Sequence, residues 1–494
     1  VNTTFAVKPR RTLGLVGITI HAMALIAPGA FIWLLFPLQI SAAGVGEPGG
    51  SLTNIWPGVL LALCTAFLTA IAFTGLARRY PDAGAYSAYH FAQQVFGELA
   101  RNGQNRWVRP LKFLTGWVAH LFYWVYPGVM IAFLTTLIDY LLRQYGYQPT
   151  PFGKVFLAGS LAAFVGFLAL RGITGSMASS ILLNVLQITV LVVFCILAIL
   201  FRIVNPAHIP AADWLSNSPA SFLLPTSLDG VLLQAALSVL LVVGFESIVS
   251  SGVAAANPQR DISRSVILTL IIQGFVAYFL QYFAFQFALT SRAFGYLPAA
   301  NAAASAVPLG DLAIYIGDSM LMGNGFALMM VAAATVIVAV LAAGLTSMNT
   351  GVRITFAMAI DEDMPGFLSL LHERHATPYT AVIILTVISG LIGSVGAVGG
   401  KLLLAAITLA ANMGAFLLYA MICMMAFLIY EAKQPRFFAG LGFVMNLILA
   451  GVIGWAALNT RGLIGQAAGI ALWIALAWLV ASAAYYVVKQ ARRT

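Results

Sequence analysis

Val242-Val243-Gly244-Phe245-Glu246-Ser247-Ile248-Val249-Ser250-Ser251-Gly252 opens as an apolar run and then sets a carboxylic acid between two glycines. It closes at Asn257-Pro258-Gln259-Arg260-Asp261-Ile262. Among the 15 Asp and Glu residues, Glu246 is the one the sequence places at mid-membrane depth. A charge there is costly, so an intramembrane acid is by default a functional residue. Gly244 and Gly252 bracket Glu246, Ser247, Ser250 and Ser251, a composition that suits a locally unwound helix. Unwound backbone is tolerated in lipid only where protein or a water-filled cavity satisfies its N–H and C=O groups. The stretch reads as a ligand and coupling site.

The composition supplies the membrane. The chain has 494 residues, of which 61% are hydrophobic and 8% charged, against about 25% charged in a soluble protein. The net charge of +10 comes from bases set singly and in pairs between apolar runs. That is the pattern of topology signals, so nucleic acid is not expected as a partner and the lipid bilayer is. Cys64, Cys195 and Cys423 all fall inside apolar runs and read as small core residues rather than a disulfide framework. The apolar run after Lys8, Arg10 and Arg11 reaches about residue 40, longer than the roughly 7–15 residues of a signal-peptide core. It reads as a first transmembrane helix.

Taking about 20 apolar residues per span, the chain reads as all-α with twelve transmembrane helices. They fall near 13–40, 55–77, 111–142, 152–170, 177–201, 230–256, 264–290, 320–352, 378–396, 402–430, 438–458 and 463–487. With both termini cytoplasmic, 19 of the 25 Lys and Arg residues lie on the inner side, and the positive-inside rule selects that orientation. The first span is interrupted at Ala27-Pro28-Gly29-Ala30 and the sixth at Gly244 to Gly252. The longest inner connection (about 78–110) and the longest outer one (about 291–319) occupy equivalent places in spans 1–5 and 6–10. Matching breaks and matching loops on opposite faces are expected of an inverted-topology repeat, whose broken helices mark a binding site. The expected organisation is a tail (1–12), a first repeat (13–201), an extracellular connection (202–229) and a second repeat (230–430). Two further helices and a cytoplasmic C-terminus follow (431–494).

Three ordered signatures then carry a resemblance. Gly75-Leu76-Ala77-Arg78-Arg79-Tyr80-Pro81-Asp82-Ala83-Gly84-Ala85-Tyr86 resembles the end of helix 2 and the next loop in amino acid–polyamine–organocation transporters. Gly244-Phe245-Glu246-Ser247, with Asn257 to Ile262, resembles their helix 6 signature. Arg353 to Ala359 through Met364-Pro365 and Thr377-Pro378 resembles their helix 8–9 connection. The resemblance implies a five-plus-five inverted-repeat (LeuT-like) fold and alternating access to a central site. Amino-acid-binding members usually carry Gly-x-Gly in broken helix 1, whose N–H groups hold the substrate carboxylate. Here the positions read Ala27-Pro28-Gly29, and proline has no N–H to donate. Gly29 and Ala30 still offer theirs to an anion at the start of a half-helix, while an amine or polyamine substrate becomes more plausible.

Glu246 has two functional readings, a proton site that couples proton movement to transport or a charged counter-ion for a substrate ammonium. A structural hydrogen bond across the helix break is the third. Phe245 reads as a gate or as packing. Tyr123 and Trp124, in the cluster Phe122 to Pro127, fall nearest the family's substrate-contacting positions by resemblance, and aromatic rings can hold a cation. Asn412 is a substrate-lining candidate or an interhelical hydrogen bond. Thr346 and Ser347 match hydroxyls that bind sodium in sodium-coupled relatives, and oxygen ligands suit that hard cation. Some proton-coupled members place a lysine on helix 5 instead, and residues 172–201 contain no Lys or Arg. His21 and His120 are further intramembrane candidates for a proton path.

The expected function is a secondary active permease for an amino acid or related amine, coupled to protons, in a bacterial inner membrane. Exchange, polyamine exchange, sodium coupling and a transporter-like sensor are the alternatives. An enzyme would need convergent acid, base or metal ligands and a channel a continuous polar pore; the sequence supplies neither, and no cofactor is expected. His372-Glu373-Arg374-His375 spaces its histidines three apart rather than the four of a zinc-protease helix.

Overall fold

The computed structural model describes residues 14–26, 29–44, 52–80, 88–101, 107–172, 177–215, 223–246, 257–294 and 305–491. Among them, ten helices are long and apolar enough to cross a membrane, which makes this a multi-pass membrane protein. In chain order the helices are α1 (Leu15–Ile26), α2 (Ile32–Ala42), α3 (Ile55–Arg79), α4 (Ala88–Arg101), α5 (Val108–Gln144) and α6 (Pro151–Leu170). Then come α7 (Met177–Val204), α8 (Leu228–Val242), α9 (Pro258–Ile271), α10 (Leu280–Ala288) and α11 (Pro308–Met320). Last are α12 (Gly325–Ile360), α13 (Tyr379–Val398), α14 (Gly400–Ile429), α15 (Lys433–Asn459) and α16 (Gly462–Ala491).

Helices α5 and α14 form the centre, with 78% and 72% of their apolar windows buried, whereas α6 and α16 bury only 28% and line the periphery. The exposed Phe152, Phe156, Trp473 and Val487 on those outer helices are suited to lipid. Because lipid tails are as apolar as the side chains, membrane helices associate through close packing and small residues. Gly351 of α12 shows how close. A Cβ there would lie 3.0 Å from the Tyr123 carbonyl of α5. That carbonyl has no helical partner, since Pro127 sits four residues on and lacks the N–H.

Both long connections hold a helix where the sequence reading saw only loop: α4 lies within 78–110, and α11 begins within 291–319. Helix α4 was obscured because its apolar residues are spaced for an amphipathic helix and interrupted by Gln93, Gln94 and Glu98. The expected seventh span is also not uniform: α9 and α10 are joined by a π-helical segment, Ile272–Phe279. The C-terminal helix is strapped to α5 by a reciprocal pair. The indole N–H of Trp117 donates to the Trp478 carbonyl at 3.2 Å, and that of Trp478 to the Trp117 carbonyl at 2.9 Å.

Candidate functional site

Helix α8 ends at Val242 because the chain turns out of helical geometry there. Val243 is extended, and Gly244 adopts φ +112°, a conformation that glycine alone takes without strain. The N–H of Gly244 donates to Glu246 Oε2 at 2.9 Å, so the side chain satisfies the backbone it interrupts. The same oxygen accepts from the Tyr419 hydroxyl of α14 at 2.9 Å, and Oε1 accepts from the Tyr123 hydroxyl of α5 at 2.9 Å. One buried carboxylate thus ties the broken helix to both central helices.

Glu246 also lines a small cavity of about 20 Å³, room for a water molecule. Its wall is formed by Phe122, Tyr123 and Tyr126 from α5, Val243 and Gly244 from the break, and Ala343, Thr346, Ser347 and Thr350 from α12. The lining combines aromatic and aliphatic surface with one acid and several hydroxyls, a set that can hold an ammonium beside an apolar group. Behind it, the Phe245 ring meets Phe73 edge-on at 5.8 Å and lies 5.6 Å from the Tyr419 ring.

Of the residues singled out in the sequence, Tyr123, Gly244, Glu246, Thr346 and Ser347 meet at this cavity. Ala27, Pro28 and Ser247 lie outside the described residues. Phe245 is buried in the aromatic cluster rather than on the cavity wall. Gly29 has φ +80° and packs against Gln281 and Leu191, and Ala30 is fully buried; neither is in the cavity lining. Trp124 faces the other way, donating to Thr355 Oγ1 at 3.1 Å and contacting Trp478. Asn412 donates to the carbonyls of Ala236 and Leu237 in α8, the geometry of the interhelical alternative. His120 is buried with Nε2 3.1 Å from Thr355 Oγ1, away from Glu246. The hydroxyls of Thr346 and Ser347 donate to carbonyls of their own helix, leaving their lone pairs for a ligand.

Tyr126 and Tyr419 were missed as individual site residues. Tyr126 is three residues after Tyr123, within the aromatic cluster. Tyr419 is seven after Asn412, two helical turns along one face, so the marked asparagine could have pointed to it.

A bundle of membrane-crossing helices enclosing a buried acid and a small cavity where a helix is interrupted is the construction of a polytopic membrane carrier. The sequence matches the amino acid permease family over residues 38–471, and the chain belongs to that family. It is 25% identical over 399 residues to the branched-chain amino acid permease BcaP of Bacillus subtilis, covering 78% of this chain and 75% of that one. It is 23% identical over 456 residues to the methylthioribose transporter of Bacillus subtilis, covering 89% and 86%. A third relative, the L-methionine/branched-chain amino acid exporter YjeH of Escherichia coli, is 27% identical over 272 residues, covering 54% of each chain. The protein is accordingly a membrane transporter of amino acids or related amines.

Proposed function

We propose that the protein is a secondary active permease that moves a small apolar amino acid or related amine by alternating access, coupled to protons through Glu246. The observation that carries this reading is the Glu246 carboxylate, which accepts from hydroxyls on two different helices while lining the cavity. An ionised carboxylate accepts both bonds, and a protonated one must give up an acceptor position to its own hydrogen. Protonation therefore changes the tie between the broken helix and α5 or α14, as a coupling element must. An apolar side chain fits the aromatic and aliphatic wall, and branched-chain residues and methionine occur in the names of two relatives.

The proposed architecture has twelve spans, with α1–α2 and α8 plus the break counted as the two discontinuous helices of a five-plus-five inverted repeat. The placement of α4 and α11 in the two long connections, one in each half, supports that repeat. A bacterial inner membrane and cytoplasmic termini complete the proposal. The test is uptake into proteoliposomes of L-leucine, L-methionine, an amine and a polyamine under an inward proton gradient. Glu246→Gln abolishes acceleration by the gradient and leaves the fold intact; full gradient-driven accumulation in that variant overturns the coupling role.

Sodium coupling is the second reading, favoured by the cavity-facing Thr346 and Ser347. Thr346→Ala with Ser347→Ala then removes any sodium dependence, and an unchanged sodium response rejects the site. Exchange differs from symport by requiring substrate on the far side, which counterflow measures directly.

A further inference from the structure

The span 258–288 carries more buried polar atoms than its packing uses. Ser265 Oγ, Thr269 Oγ1 and Gln273 Oε1 are enclosed and have no hydrogen-bond partner, and all three residues are 0% exposed. An unpaired buried polar group costs about 1–3 kcal/mol, and in proteins such groups are normally satisfied by ordered water. The three follow one another at intervals of four, which stacks them on one helical face about 5–6 Å apart. That spacing matches one bridging water between neighbours, each hydrogen bond being about 2.8 Å.

The helix changes character at the far end of this face. From Ile272 to Phe279 it is π-helical, a rare form that is frequent at functional sites. The segment brings Gln273 and Tyr278, five residues apart, into contact at 3.5 Å through Nε2 and the hydroxyl. Gln273 Nε2 also donates to the Leu241 carbonyl at 2.7 Å, in the last turn of α8 before the break. The Tyr278 hydroxyl meets the backbone of Gly29, in the break between α1 and α2. Ser265, Thr269, Gln273 and Tyr278 therefore form one polar line that reaches the last turn of α8, five residues before Glu246.

We infer that this line is a hydrated proton route to Glu246 that runs along the buried face of the span from its Pro258 end. It rests on the proton reading of Glu246 proposed above. The route carries a proton from bulk water along bridging waters and hydroxyls to one carboxylate oxygen, which becomes the O–H of the neutral acid. No other bond is made or broken. The titratable groups facing Glu246 are Tyr123 and Tyr126 from α5 and Tyr419 from α14, and α12 presents only the hydroxyls of Thr346, Ser347 and Thr350. With no basic side chain in that lining, water is the carrier that fits the last step.

The experiment is a pH jump on the purified full-length protein in lipid, followed by time-resolved infrared absorption of the carboxylic C=O stretch. The Glu246 band is identified by its loss in Glu246→Gln, so no substrate needs to be known. The route predicts that Ser265→Ala/Thr269→Val slows the rise of that band at least 10-fold, and that Thr269→Ser restores it. If the band appears but rises at the wild-type rate in the double variant, the route is overturned while the proton site stands. If no Glu246-dependent band appears at any pH, the proton site fails and the route with it. Should the double variant not fold, Thr269→Val alone, a near-isosteric change, gives the same two readings. A complementary measurement is radiolytic hydroxyl-radical oxidation of two fully buried tyrosines of this span. Tyr278 on the line oxidises faster than Tyr282, whose hydroxyl is held by Gln39; equal rates mean a dry seam and overturn the proposal.

Discussion

The hydroxyl of Tyr419 lies 2.9 Å from Oε2 of Glu246, across 173 residues of sequence. A hydrogen bond to a charged group contributes about 1.5–3 kcal/mol. Tyr419→Phe removes the bond while keeping the ring that packs on Phe73 and Phe245. Gradient-driven uptake in proteoliposomes should fall about 10- to 100-fold, and the melting temperature should fall with it because a buried acceptor loses its donor. In a double-mutant cycle with Glu246→Gln the two losses should be strongly non-additive, since both remove the same tie.

Gly29 is constrained twice. A β-carbon there would sit 2.2 Å from Gln281 Nε2, and the backbone holds φ +80°. Strain at such a backbone conformation costs about 1–3 kcal/mol, and the clash adds to it. Gly29→Ala should lower the melting temperature and uptake together. Adding Gln281→Ala should recover only the part due to the clash, leaving the backbone strain in place.

The reciprocal indole bonds between Trp117 and Trp478 anchor the last helix remote from the cavity. Trp478→Phe leaves the half-buried Trp117 carbonyl without its indole donor, a net loss of about 0.5–1.5 kcal/mol. The melting temperature should drop by several degrees, with substrate affinity unchanged. A large rise in KM would contradict this purely structural role.

Asp363, beyond the end of α12, sits in a cluster outside the membrane-spanning segments. Lys489 Nζ lies 2.6 Å from it, the Tyr89 hydroxyl 2.7 Å and Lys112 Nζ 3.2 Å. Burial raises the tendency of its carboxyl to hold a proton, but the hydrogen bonds from Lys489 and Tyr89 and the charges of Lys112 and Lys489 outweigh it, leaving the carboxyl below its ordinary value of 3.8. A depressed carboxylate stabilises the fold above that ordinary value and loses the contribution as pH falls through the folded-state value. Asp363→Asn should therefore destabilise the protein by about 1–3 kcal/mol at neutral pH. The difference from wild type should shrink as the pH is taken below 3.8; a difference that persists there would assign the loss to packing.

Apolar run length and the glycines around Glu246 were enough to place most spans and the break at Gly244, because lipid leaves backbone few choices besides helix. The boundaries moved where end effects rule: α12 runs on to Ile360 rather than 352, carried by Arg353 to Met358, which are too mixed in polarity to score as a span. Helix α4 was illegible to a hydropathy reading because an amphipathic helix shows its order in spacing, not in mean apolarity.

The sequence by itself determined that this is a membrane protein with an acid at a helix break, since composition and the cost of burying charge are local properties. Only the tertiary structure decided which hydroxyls reach that acid. Tyr419 is an ordinary tyrosine in an apolar helix, and Tyr123 is marked only by resemblance, until α5 and α14 cross beside Val243-Gly244-Phe245-Glu246. It likewise turned Trp124 and Asn412 away from the cavity, because a residue's rotation about its helix axis is fixed by the neighbours it packs against and not by its depth in the chain.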